Sequence, residues 1–370
     1  MSRSRSGCPA LGCAGVLLLL ALAALILLPE IGPRLLGRVD PPVLEDEGAP
    51  APETVREGEP ETAENGREGA FEGFGTGDRL LLTYGFVDHE GESKRISCTI
   101  DRRDYEREVA SFGYVEREIW DRLNEELRGR VLREVSAKGL ASYFDLEVHG
   151  QTSYRWRWRV PRGLPRVEED RVTREVAELD SWLSGSLRRE VDEMTDRVLR
   201  ERGFRLKGND IAVDYEQVAI QGTQPLADCF EALRRAGQEA DEERLLGMLL
   251  AFFQELRYEV PPQEESGRRI HGFWVPTAVL ARGGGDCDSK SVAFCSLWRN
   301  LPRRAILILV PDHALVGVEK TPGPGEAYVR LGNRYFVLCE VSGPGKIPPG
   351  RGSISGSYEY VMIEPVAGFS

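Results

Sequence analysis

Little in this chain supports the chemistries that announce themselves through composition. Its 370 residues hold only four histidines, without ligand spacing, no Cys-x-x-Cys pair and no calcium-loop motif. Neither a metal site nor a cofactor is therefore expected. Seven cysteines over this length do not make a disulfide framework, and Cys98, Cys229, Cys295 and Cys339 read as small buried hydrophobes. A basic excess is missing too. The net charge of −12 and a pI near 5.1 would repel a polyanion, which excludes a general nucleic-acid binder. No internal repeat is evident.

What is present begins with a 41% apolar and 29% charged balance, that of a globular protein with material for two or three domains. Residues 1–37 read as a transmembrane signal-anchor. The chain is uncharged from Pro9 to Leu28 and wholly apolar from Val16, with Arg3 and Arg5 ahead of it and no acidic residue before Glu30. Cys13 precedes the apolar run, the wrong place for lipoprotein cleavage. A cleaved signal peptide would lead to the same compartment. Residues 38–77, rich in Pro, Glu and Gly with few large apolar side chains, read as a disordered tether. The folded part is thus expected outside the cytoplasm, periplasmic or extracellular.

Residues 78–237 read as an α+β domain of unassigned role. Arg79–Val87 and Ser93–Ile100 bracket His89 to Glu92 as a hairpin. Ile119, Leu123, Leu127 and Val131 recur at helical spacing to about Ser136. Tyr154, Trp156, Trp158 and Val160 alternate with Arg155, Arg157 and Arg159 as in an amphipathic strand with its tryptophans inward. From Val172 to Val198 an apolar seam marks one or two long charged helices, able to pair within the protein, with a partner or in self-association. A connector from Gly203 to Gly237 holds one short helix near Leu226–Ala236.

Residues 238–370 carry the chemistry. After an amphipathic helix entered at Asp241, a glycine-rich loop reaches Gly283-Gly284-Gly285-Asp286-Cys287-Asp288-Ser289-Lys290 and becomes a helix. A thiol at a helix N-terminus can fall from about 8.5 to roughly 3.5–7.5 in pKa, and the free N–H groups there can also receive an oxyanion. Asp286 suits the N-cap, yet Asp286 and Asp288 as carboxylates oppose a thiolate, so a cation is needed nearby. His313, heading a strand after Pro311-Asp312, can supply it. Past the Gly332-Asn333 hairpin, Glu340 alternates onto the face of Phe336 and Leu338, and a buried carboxylate there needs a partner such as a histidine one strand away. Lys290 is expected to pair with a nearby Asp, and Trp274 to be core. His89, His149 and His271 receive no role.

This order resembles the transglutaminase-like superfamily, particularly bacterial cysteine-protease-like members with a Gly-Asp-Cys-Asp/Glu-x-Lys motif. The resemblance spans about Asp241 to Pro365 and is strongest from Pro276 to Val318. It implies a papain-like fold in which Cys287 attacks an amide carbonyl, His313 moves the proton and Glu340, where many members carry Asp, orients the histidine. The expected function is a membrane-anchored enzyme forming a thioester with protein or peptide amides, as peptidase, amidase or transglutaminase. The alternative is a catalytically silent scaffold of the envelope.

Overall fold

The computed structural model describes residues 71–366 apart from 150–152, 209, 238–240, 344 and 355–356. The expected anchor and tether up to residue 70 lie outside the described residues. Among those described, no helix is long and apolar enough to cross a membrane. Helices and mainly antiparallel sheets make a mixed α+β chain that divides into two units. One holds Val115–Leu199 and Arg205–Ala212; the other holds the described residues up to Tyr114, Arg200–Phe204 and those from Val213 onward.

Order starts earlier than the composition of the tether suggests. Phe71–Thr76 forms strand β1, antiparallel to β2 (Arg79–Val87), which pairs in turn with β3 (Ser93–Asp101). Residues 71–76 are thus a sheet edge, not linker. The reason lies in Phe71, whose ring packs 5.1 Å from that of Tyr84. In the β2–β3 turn Asp88 accepts the N–H groups of Glu90 and Glu92 at 2.9 and 2.8 Å. The acidic trio Asp88, Glu90 and Glu92 gathers there with Lys94, 3.4 Å from Asp88 and 2.5 Å from Glu92, as its counter-charge. Helix α1 (Arg102–Ser111), capped by Asp101, follows and was not legible as a periodic run.

The unit centred on Val115–Leu199 contains α2 (Glu116–Ala137), a hairpin of β4 (Phe144–His149) and β5 (Ser153–Trp158), and α3 (Arg166–Arg200) as a single 35-residue helix. Ile119, Leu123, Leu127, Val131 and Val135 of α2 are buried, as are Val172, Leu179, Leu183, Met194 and Val198 of α3. Ion pairs Arg197–Glu126, Arg130–Glu190 and Lys138–Glu178 run in opposite sequence directions, so the two helices are antiparallel. Tyr154 is buried and the indoles of Trp156 and Trp158 donate to Asp180 at 2.7 and 3.3 Å. Cross-strand pairs Asp145↔Arg157 and Glu147↔Arg155 neutralise the outward face.

A second hairpin, β6 (Phe204–Lys207) with β7 (Asp210–Val213), leads into α4 (Tyr215–Thr223) and α5 (Ala227–Ala236), so the expected connector with one helix is a hairpin and two helices. Then come α6 (Glu242–Glu255), β8 (Arg257–Tyr258), the small pair β9 (Glu264–Glu265) and β10 (Arg268–Arg269), α7 (Pro276–Arg282), β11 (Gly284–Gly285) and α8 (Cys287–Trp298). The last strands are β12 (Ala305–Val310), β13 (His313–Glu319), β14 (Tyr328–Leu331), β15 (Arg334–Cys339) and β16 (Glu359–Ile363). They form one antiparallel sheet in the order β14-β15-β13-β12-β16. Residues 289–298 of α8 are buried all round, as befits a helix in the centre of a core rather than on its surface. Ile306, Ile308, Leu315, Val329, Phe336 and Leu338 make a cluster on one face of the sheet.

This unit is larger than the 238–370 span expected from sequence, because β1–β3 and α1 belong to it. Tyr84 donates to the carbonyl of Leu280 at 2.6 Å, and Phe252 meets Tyr84 and Phe86 edge-on at 5.0 and 5.6 Å. A disulfide, Cys98–Cys229, ties β3 to α5, correcting the reading of both as free buried thiols. Beside it Thr99 donates through N and Oγ1 to Asp228 at 2.7 and 2.8 Å.

Candidate active site

The loop ahead of α8 is shaped by two glycines with different tasks. Gly283 ends α7 at φ 65°, in the left-handed region that penalises a Cβ. Gly284 lies where β11 runs parallel to β8, and a Cβ there would stand 2.7 Å from the carbonyl oxygen of Arg257. The chain then turns into α8 at Asp286, the N-cap expected from sequence, whose Oδ1 accepts the N–H of Ser289 at 3.2 Å. Cys287 is the first helical residue and is half-buried. Its N–H belongs to the first turn, where no intrahelical acceptor exists.

His313 reaches this point through a tight turn. Pro311 and Asp312 connect β12 to β13 with Val310 opposite His313, and Asp312 takes φ 60°, a conformation Asp tolerates better than most residues. Register explains why Glu340 meets it. Val316 faces Cys339 across β13 and β15, so one further pair sets Glu340 opposite Leu315, and His313 lies two residues back on the same face. His313 Nε2 and Glu340 Oε2 are 2.7 Å apart. The carboxylate is pinned from its other oxygen, which accepts Ser342 N at 3.0 Å and Ser342 Oγ at 2.6 Å. Gln254 donates to the Glu340 carbonyl at 2.7 Å and accepts from His89 at 3.1 Å.

The structure therefore brings Cys287, His313 and Glu340 together. Hydrogen bonding to the Cys287 side chain, and next to Glu340, raises His313 to about 10 against the opposing effect of burial. Burial alone would lift Glu340, but its bonds to His313 and Ser342 hold it below the usual carboxylate range. With Nε2–H directed at Glu340, Nδ1 is the ring nitrogen left for the sulfur. A base beside a sulfur that opens a helix is the arrangement a cysteine nucleophile needs.

The two aspartates flanking Cys287 behave differently from a pair of free carboxylates. Burial, and then the charge of Asp286, push Asp288 upward, and the two side chains are hydrogen-bonded to each other. Asp288 also accepts from Tyr215 Oη at 3.0 Å and from Ser289 N at 2.9 Å. An acid pair that shares one proton presents a single negative charge to Cys287, which removes half the opposition expected from sequence. Lys290 does not pair with an aspartate. It is fully buried and donates to the carbonyls of Leu256 and Ser342 at 2.6 and 3.1 Å, stitching α6, α8 and the segment after β15 together. Burial lowers it to about 8, although Asp286 and Glu340 act to raise it.

Trp274 is core, as expected, 4% exposed beneath Arg282, whose guanidinium lies 4.3 Å from the ring centroid. Its backbone N–H donates to Ser289 Oγ at 3.0 Å. His271 accompanies Tyr114 Oη at 2.8 Å. Sequence reasoning missed Tyr258, whose phenol hydrogen-bonds the Cys287 side chain. It also missed Tyr215 and Ser342. No periodic signal marks any of the three, although Tyr215 directly follows an Asp that caps its helix.

Comparison with family models, with curated proteins and with solved structures finds no match to this chain.

Proposed function

We propose that this protein is a cysteine-dependent acyl-transfer enzyme of the papain-like, transglutaminase-like kind, acting on amides of proteins or peptides outside the cytoplasm. The observation that carries it is His313, placed between Glu340 at 2.7 Å and the thiol that opens α8. In the first step the Cys287 sulfur pair forms a C–S bond to the amide carbon, and the carbonyl π pair moves to oxygen. When that pair returns, the C–N bond breaks and the proton on His313 goes to the departing amine. Water or a second amine then attacks the thioester, giving its proton to His313 as Cys287 leaves. Glu340 keeps the ring oriented throughout, the part the third member of such triads plays.

The disulfide Cys98–Cys229 supports a location in an oxidising compartment, in keeping with the apolar run of residues 9–28. We take that run as the membrane anchor. The sequence motif and the order helix, strand, His-strand, Glu-strand support the superfamily reading.

The test is alkylation of each cysteine by iodoacetamide across pH 4–9 on the full chain, read by peptide mass spectrometry. Cys287 should react well below pH 8 while Cys295 and Cys339, fully buried and pushed upward by burial, stay inert. His313→Ala should abolish the low-pH reactivity, and Glu340→Gln, which removes the carboxylate that helps hold the imidazole cationic, should reduce it. A Cys287 that titrates as an ordinary thiol, unmoved by His313→Ala, would sink the catalytic reading and leave the scaffold.

A further inference from the structure

An acyl-transfer site needs more than a nucleophile and a base. Charge develops on the carbonyl oxygen, and two preorganised donors about 2.7–3.1 Å from that position are the usual device. The N–H of Cys287, in the first turn of α8, is one. Resting on the acyl-transfer reading above, we propose that the hydroxyl of Tyr258 is the second, a catalytic donor to the oxyanion formed at Cys287.

The backbone of Tyr258 is held to the nucleophile loop on both sides. In the parallel pairing of β8 with β11, Tyr258 is opposite Gly285; Arg257 N donates to Gly283 O at 3.0 Å and Glu259 N to Gly285 O at 3.2 Å. Tyr258 is thereby fixed beside a residue two positions ahead of Cys287. Its side chain is not a core filler, being 55% exposed, with Val260 at 66% extending the same open strip. Its hydroxyl is within hydrogen-bonding reach of the Cys287 side chain. Underneath, Lys290 Nζ lies 5.9 Å from the ring centroid, on a side chain with no freedom of its own.

A phenol that bonds the sulfur in the resting enzyme is adjacent to the place where the oxygen of an attacked carbonyl must come. Once the sulfur pair has formed the C–S bond it is no longer an acceptor, and the O–H can turn to the oxyanion without parting with its proton. Partial burial, followed by the negative neighbours Cys287, Asp286 and Asp288, keeps the phenol above its ordinary pKa and therefore a donor across the neutral range.

Two reactions of one sulfur separate this role from its alternatives. Acylation by p-nitrophenyl acetate passes through an oxyanion; alkylation by iodoacetamide does not. On the full chain at pH 7, Tyr258→Phe should slow acylation of Cys287, read as the burst of p-nitrophenolate and the acetyl mass, by roughly 10- to 100-fold. Alkylation, which forms no oxyanion, should change by a clearly smaller factor than acylation. Tyr258→Gln, which restores a donor, should recover part of the acylation rate. Equal rates in wild type and Tyr258→Phe would overturn the proposal, as would a parallel fall in both reactions, which would make Tyr258 a partner of the resting thiolate only. His313→Ala is the separate control: if it leaves alkylation unchanged, the Cys–His reading itself fails, whatever Tyr258 does.

Discussion

Asp286 and Asp288 illustrate how far a side chain's meaning depends on its surroundings. As a string, Asp-Cys-Asp looks hostile to a thiolate, since two carboxylates at the usual pKa would both be charged. Folded, Asp288 is enclosed against Asp286 and Tyr215 and its affinity for a proton rises. This makes a specific expectation for the pH profile. Asp288→Asn imitates the protonated acid, so Cys287 alkylation in the variant should follow the wild type on the acid side. The two profiles should part on the alkaline side, where the wild type gains a second negative charge and the variant does not. Equal divergence at pH 5 and pH 9, measured by the same alkylation, would show that Asp288 is charged throughout. Neither the sharing of a proton nor the part of Tyr215, 73 positions away in sequence, can be seen in the residue string, because desolvation is a property of neighbours.

At the scale of elements, α1 and α7 are coupled by a charge in an unfavourable place. Glu108 of α1 is 6% exposed with both carboxylate oxygens unpartnered, and burial lifts it to about 7, offset only in part by the neighbouring Thr277 of α7 and the charge of Arg107. The folded state thus holds this proton more tightly than the unfolded chain does. Its contribution to stability is full below about pH 4.5 and is lost as the pH rises through about 7, a change on the order of 3 kcal/mol. Glu108→Gln should flatten that part of the stability curve and be the more stable variant at pH 8, checked by urea unfolding at pH 5 and pH 8. An unchanged pH slope would show that Glu108 ionises normally. The hairpins, by contrast, follow from local chemistry: Gly332-Asn333 joins β14 to β15, and the β2–β3 turn falls where His89 to Glu92 were expected to place it. Helices α1, α4 and α7 were not legible, being short and, for α7, nearly apolar all round, so no amphipathic period stands out.

For the molecule as a whole, the disulfide is a covalent constraint of long reach, joining residues 131 positions apart. Closing so long a loop restricts the unfolded chain, and removing a native bridge of this kind costs about 2–5 kcal/mol. Cys98→Ser with Cys229→Ser should therefore lower the thermal midpoint by roughly 5–15 °C in differential scanning calorimetry. Dithiothreitol should have a similar effect on the wild type and none on the double variant. A midpoint unaffected by either treatment would mean that the bridge adds nothing to the fold.

The sequence by itself determined the parts that depend on near neighbours: the glycine-rich entry to α8, the N-cap Asp286, the strands that carry His313 and Glu340, and the alternation that turned Glu340 toward Phe336 and Leu338. From these the trio Cys287, His313 and Glu340 could be named before any of them was placed. Only the tertiary structure decided that β1–β3 join the unit of the nucleophile, that Lys290 turns to backbone carbonyls rather than an aspartate, that Cys98 meets Cys229, and that Tyr258 faces the sulfur. Each of these is a meeting of residues far apart in the chain, or across two strands of only two residues, where no period has room to develop. Short-range pattern specifies an element's type and facing; which elements meet, and what charge survives when they do, is set by burial.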